Sequence, residues 1–178
     1  RTEVMNKGIQ SISSQISSLS QMSNGIKSMF EQVSQSAVGT ASSTKKISNR
    51  LFGNLAKIDH IIFINGLYDY INGRAGCYSP VDHHNCRLGK WYDTGVGRQE
   101  YSTMPSFNKL EKPHQTVHSC AADLAELQLE GEMDEETLQK VKSKLENVHD
   151  ASDTICKDLD ALIKEKDNEI ERYYQPAH

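Results

Sequence analysis

The feature that most constrains this chain is a seven-residue repeat of apolar positions between Met5 and Leu51. One series runs Met5, Ile12, Leu19, Ile26, Val33, Thr40, Ile47; the other runs Ile9, Ile16, Ser23, Phe30, Ala37, Thr44, Leu51. Steps alternating between four and three residues put both series along one seam of a helix, and a phase kept this long is the pattern of a coiled coil. The stretch is Ser-rich, a linker-like composition, but the periodicity argues against a linker. At ~1.5 Å per residue the segment is expected to be a helix of roughly 70 Å. Ser23, Ala37, Thr40 and Thr44 make the seam small and polar in places, so each layer buries little and the segment needs a partner helix. Glu31-Gln32 falls on its surface.

The same register continues through Ile58, Ile61 and Tyr68, while Ala56, Phe63, Ile64, Leu67 and Ile71 open a second apolar face. A helix apolar nearly all round is predicted to be buried. His60 lies on the second face. Gly53 and Gly66 interrupt the helix, each at a cost of about 1 kcal/mol against alanine, so a loosened joint is expected near Gly53. Asn72 to Gly76 ends it, and residues 73–85 form a loop with Ser79-Pro80 and His83-His84. A short helix is predicted from Asn85 to Tyr92, breaks at Gly95 and Gly97, and a turn at Met104-Pro105. Pro113 suits the first turn of a helix whose stripe is His114, His118, Ala122, Ala125 and Leu129. Gly131 closes that helix and Asp134 caps the next, in which Leu138, Val141, Leu145, Val148, Ser152, Ile155, Leu159 and Leu162 mark an amphipathic face running to Tyr173. No stretch carries a strand pattern. The expected fold is all-α: a coiled-coil helix over residues 1–52, a four-helix-bundle-like domain over 53–173, and a disordered tail over 174–178.

Composition narrows the function. A net charge of −4 leaves no basic patch for nucleic acid. No apolar run approaches the ~20 residues of a membrane span, and no signal peptide opens the chain. A start without methionine is expected of a piece cut from a larger protein. Four cysteines at irregular spacing, Cys77, Cys86, Cys120 and Cys156, with no secretion signal, read as reduced thiols and a cytoplasmic setting.

The chemistry sits in Cys86 and in His114 and His118. Two histidines four apart on one helix point the same way and grip one ion. Their stripe is apolar, so two buried imidazoles need a partner. Thiolate with imidazole selects zinc over magnesium or calcium. A fourth ligand is needed; His60 on the upstream helix supplies it, with His83 or His84 as alternatives. Asp59, Asp82 and Glu111 are candidates to offset the residual charge of about +1. Cys77, Cys120 and Cys156 are expected to pack, His149 to be solvated, and Trp91 and Tyr92 to cover the site. The pair is not a hydrolase motif: Gln115 stands where a general base would be needed, and Val117 where the inverted motif has glutamate. Four protein ligands leave no open position for water, and no Glu-x-x-His pair near His114 supports a di-iron bundle, so no enzyme is expected.

Cys86-Arg-Leu-Gly-Lys-Trp-Tyr, with Gly95, Phe107, Leu110, Glu111, Pro113, His114, Val117 and His118, resembles the bacterial chemoreceptor zinc-binding domain, and Leu55-Ala-Lys-Ile-Asp-His60 fits its opening. The resemblance covers residues 50–173. It implies a helical bundle that binds Zn²⁺ through His60, Cys86, His114 and His118, which supports His60 over His83 or His84. The His- and Cys-bearing loop from Asn72 to Asn85 departs from the family pattern. Such domains end soluble chemoreceptors and also occur on diguanylate cyclases. The preceding heptads resemble the last part of a methyl-accepting chemoreceptor's signalling hairpin. The tip that binds the histidine kinase and the coupling protein is absent, and Glu31-Gln32 only partly matches a methylation pair. The resemblance thus implies a cytoplasmic chemotaxis sensor, homodimeric through the coil. It would respond to zinc occupancy or to oxidation of the zinc-bound thiolate. The alternatives are a purely structural zinc module and the regulatory domain of a cyclase.

Overall fold

The computed structural model describes residues 1–127 and 133–175. Leu129 and Gly131, and residues 176–178 of the tail expected over 174–178, lie outside the described residues, whereas Tyr174 of that tail is helical. Six helices follow in order: α1 (Thr2–Ile71), α2 (Arg87–Asp93), α3 (Val96–Glu100), α4 (Pro105–Lys109), α5 (Glu111–Glu126) and α6 (Glu135–Tyr174). The described residues contain no strand, as the patterns predicted, and none of their helices is long and apolar enough to cross a membrane. The chain divides into two compact units, Arg1–Thr44 and the part from Lys45 onward.

In the first unit the seam residues stand exposed; Met5, Ile16 and Phe30 are typical. The two seam threonines are satisfied locally. Thr40 Oγ1 donates to Ser36 O at 2.9 Å and Thr44 Oγ1 to Thr40 O at 2.9 Å. These back-bonds let hydroxyls sit in a helix without an outside partner.

The second unit has its core where the stripes of α1, α5 and α6 meet. α5 contributes Val117, Ala121 and Leu124, and α6 contributes Val148, Ile155 and Leu159, spaced as one face of a helix requires. Of the two apolar faces predicted for residues 55–71, one is buried, with Ala56 and Leu67 in the core. The other is not: Ile58 and Ile61 are 51% and 54% exposed, so this helix is amphipathic rather than buried all round. The predicted caps are in place. Gly73 carries φ +67° at the end of α1. Asp134 Oδ1 accepts from Thr137 N at 2.8 Å at the start of α6. α6 runs just past the expected Tyr173, with Gln175 as its C-cap.

The stretch between Cys86 and Leu110 is more helical than its glycines suggested. α3 was not expected, because Gly95 and Gly97 read as breaks. Here Gly97 lies within α3 against the face of Trp91: a Cβ built on it would lie 2.5 Å from the indole. Trp91 in turn stacks on Phe52 of α1 at 4.2 Å, and Tyr92 stacks on Phe107 of α4 at 4.3 Å. Short helices that cannot hold themselves are held by these rings.

Polar ties from α1 to α6, and to Tyr101 at the end of α3, begin ahead of Gly53. Asn49 Nδ2 donates to Ile163 O and to Asp167 Oδ1, both at 3.0 Å, Arg50 Nε donates to Asp167 Oδ2 at 2.9 Å, and Tyr101 OH donates to Asn49 Oδ1 at 3.0 Å. Asn49 and Asp167 are buried. Asp167→Ala should therefore leave a buried N–H of Asn49 unmatched, remove the Arg50 pair and cost about 2 kcal/mol, read as a lower urea midpoint. Asn168→Ala, at an exposed neighbour, should leave the midpoint in place.

Candidate metal centre

Three elements bring the candidate ligands to one cavity. The first turn of α5 starts after Leu110, and Pro113 in that turn has no N–H to leave unsatisfied. His114 and His118 then fall on its buried face, their rings 4.8 Å apart at 90°. Cys86 is the N-cap of α2, which begins at Arg87 rather than Asn85. Its Sγ accepts from Gly89 N at 3.2 Å, contacts His83 O at 3.3 Å, and lies 3.2 Å from His114 Nε2. The ligand atoms of Cys86, His114 and His118 all lie within 4.8 Å of one another.

His60 lines the same cavity but stands outside that trio. Its Nε2 lies 2.9 Å from Ser152 Oγ on α6. Ser152 was read only as a member of the α6 stripe. The signal available for it was a hydroxyl on an otherwise apolar face, which needs a buried partner. Of the three carboxylates considered as charge partners, Asp59 lines the cavity and pairs with Arg87 Nε at 3.1 Å. Glu111 instead accepts from Tyr92 OH at 3.3 Å. Asp82 groups with His83 and His84 in the loop. Elsewhere, His149 is engaged by the Tyr68 hydroxyl. Cys120 is buried and Cys156 half-buried, whereas Cys77 is exposed and does not pack as expected.

The electrostatics suit a metal that binds neutral imidazole. Burial, and then the neighbouring His118, lower the His60 pKa to about 4. Burial and the same neighbour lower His114 to about 3. Burial also lowers His118, and its Nδ1 lies 2.7 Å from Val81 O. That carbonyl can only accept, so Nδ1 carries the hydrogen and Nε2 keeps its lone pair. Burial raises the Cys86 pKa, partly offset by the N–H groups of Gly89 and Leu88. One thiol and three imidazoles uncharged at neutral pH, around one cavity, fit zinc.

The depressed histidines also set a pH dependence for the metal-free chain. An unfolded histidine takes a proton near pH 6.5, and the folded ones resist until about 3 to 4. The unfolded state therefore binds more protons across that window, and stability present above pH 6.5 is lost as pH falls. The loss should be on the order of 3 kcal/mol for each of His60 and His114. Thermal unfolding in chelator from pH 7.5 to 4.5 would show a falling midpoint; a flat profile would contradict this burial.

Residues 60–125 match the family model described as the chemoreceptor zinc-binding domain. No curated protein and no solved structure matches the chain. The matched stretch holds His60, Cys86, His114 and His118, and its cavity has the donors a zinc site requires. From His60 to Ala125, the chain carries a chemoreceptor zinc-binding domain.

Proposed function

We propose that this chain is a zinc-binding sensory module of a cytoplasmic chemoreceptor, without enzymatic activity. His60, Cys86, His114 and His118 would be its ligands. When bound, zinc supplies a Lewis acid that keeps the Cys86 sulfur as thiolate. The observation that carries the reading is the position of His60: it lies on α1, the helix of the heptad seam, and faces the cavity of Cys86, His114 and His118.

His60 has two sets of partners within reach. On Ser152 Oγ it ties α1 to α6; turned to the other ligands it ties α1 to α2 and α5. Exchange between the two biases how α1 sits on its neighbours, the kind of small helix shift by which packed bundles switch. The exposed seam of residues 5–33 would pair with a second copy, and α1 would pass the shift to a kinase and its coupling protein. Oxidation of the Cys86 sulfur would remove a ligand, as metal loss would.

The competing reading, a module in which zinc only holds the fold, is supported by the ~10–16 kcal/mol that structural zinc supplies to small domains. Zinc content by mass spectrometry followed by circular dichroism in chelator separates the two. About one zinc per chain with helicity kept after chelation supports the sensor. Collapse on chelation supports the structural module. Absence of zinc sinks both.

A further inference from the structure

Just outside the cavity, the loop from Asp82 to Asn85 gathers a second set of donors. Asp82, His83 and His84 place one ligand atom each within 4.8 Å of one another. Consecutive side chains ordinarily diverge, so this closeness needs a cause, and the backbone supplies it. Asn85 N and Cys86 N both donate to Asp82 O, at 3.0 and 3.2 Å, and His84 N donates to Asp82 Oδ1 at 2.8 Å. The turn folds the chain over the Asp82 side chain and brings the His83 and His84 rings to 3.9 Å between centroids. Asp82 Oδ2 stays available, 3.5 Å from His83 Nδ1. Asp93 Oδ2 lies 2.7 Å from His84 Nδ1, the outer carboxylate that metal-binding histidines commonly carry.

This group is also joined to the buried one. His83 is the inner member, its side chain only 15% exposed, with its ring 6.0 Å from that of His114 and 6.5 Å from that of His118. Asp82 and His84 face solvent. The carbonyl of Val81, one residue before Asp82, accepts from His118 Nδ1. The loop thus runs from exposed donors, through His83, to the edge of the thiolate site.

We propose that Asp82, His83 and His84 form a second zinc site, weaker than the first, which receives the ion from solution and passes it inward by way of His83. Two imidazoles and one carboxylate hold zinc without a thiolate and leave positions for water. Such an open site exchanges quickly. The transfer is ligand exchange alone: the ion gains bonds to the inner donors as it loses those to Asp82 and His84, and the Cys86 thiol gives its proton to solvent. The proposal rests on the buried site being a zinc site.

The test uses the whole chain and an Asp82→Asn/His84→Gln variant. It spares His83, whose carbonyl packs against Cys86 and Gly89, and asparagine can keep the turn. In equilibrium dialysis against zinc, the wild type should bind a tight ion and then a second at least a hundredfold weaker; the variant should bind only the first. Mixed with a zinc–dye complex, the variant should load the tight site about tenfold more slowly and reach the same final occupancy. A wild type that stops at one zinc, a variant that keeps the second, or equal loading rates overturn the proposal while leaving the buried site standing. Failure of either protein to take up any zinc overturns both.

Discussion

Cys86→Ala should lose roughly a thousandfold in zinc affinity, measured by competition with a chelator of known strength. A structural zinc is worth about 10–16 kcal/mol across its ligands, so one of four carries about 3–4 kcal/mol, near three powers of ten. The sulfur is the only anionic donor of the set, which places its share at the upper end. Zinc uptake by the wild type near pH 7 should release about one proton, because the half-buried Cys86 thiol is protonated there while His60 and His114 are already neutral. Calorimetry in two buffers of different ionisation enthalpy reads that proton directly. The alanine variant should release almost none. His149→Ala, at a histidine held by Tyr68 away from the cavity, should bind like the wild type. An affinity for Cys86→Ala within threefold of wild type would remove the thiolate from the site.

Gly89→Ala should be the most disruptive single methyl in the second unit. A Cβ at this position would lie 1.8 Å from the carbonyl oxygen of His83 and 2.8 Å from His84 Cα. Both are backbone atoms, so no side-chain rotation relieves the contact. The loop and the first turn of α2 must separate, which also pulls Cys86 Sγ from the Gly89 N–H and from His83 O. We expect a loss of about 3 kcal/mol in stability, with zinc affinity down at least tenfold. Gly76→Ala is the control, since nothing lies within 4 Å of its added methyl; it should change neither quantity. A Gly89→Ala chain as stable as the control would show that the loop is not fastened there.

Periodicity made the long helices legible. The heptads mark α1, and the i, i+4 spacing of His114 and His118 puts two candidate ligands on one face of α5. Cys86 was legible as a soft donor but not as a helix cap, because capping depends on a backbone angle that one residue type does not reveal. The polar interior was not legible. Asn49 sits in a polar run and Asp167 among lysines and glutamates, a setting that gives no sign of a core position; the approach of α1 to α6 buries them. Ser152 was hidden for the same reason: its partner is far away in sequence. α3 was missed because a glycine at close approach to an indole looks, in sequence, like a glycine that ends a helix.

The buried bonds of Asn49 limit how α1 can travel. Its amide fits one place on α6, where Ile163 O and Asp167 Oδ1 meet it together. Sliding by half a turn would break both bonds and leave buried polar groups of Asn49 and Asp167 unmatched, at a penalty of a few kcal/mol. From Lys45 onward, then, α1 cannot glide past α6 by degrees. It rests at one stop or jumps to another, so an output carried by this contact would be digital, with graded responses arising only from the fraction of molecules at each stop.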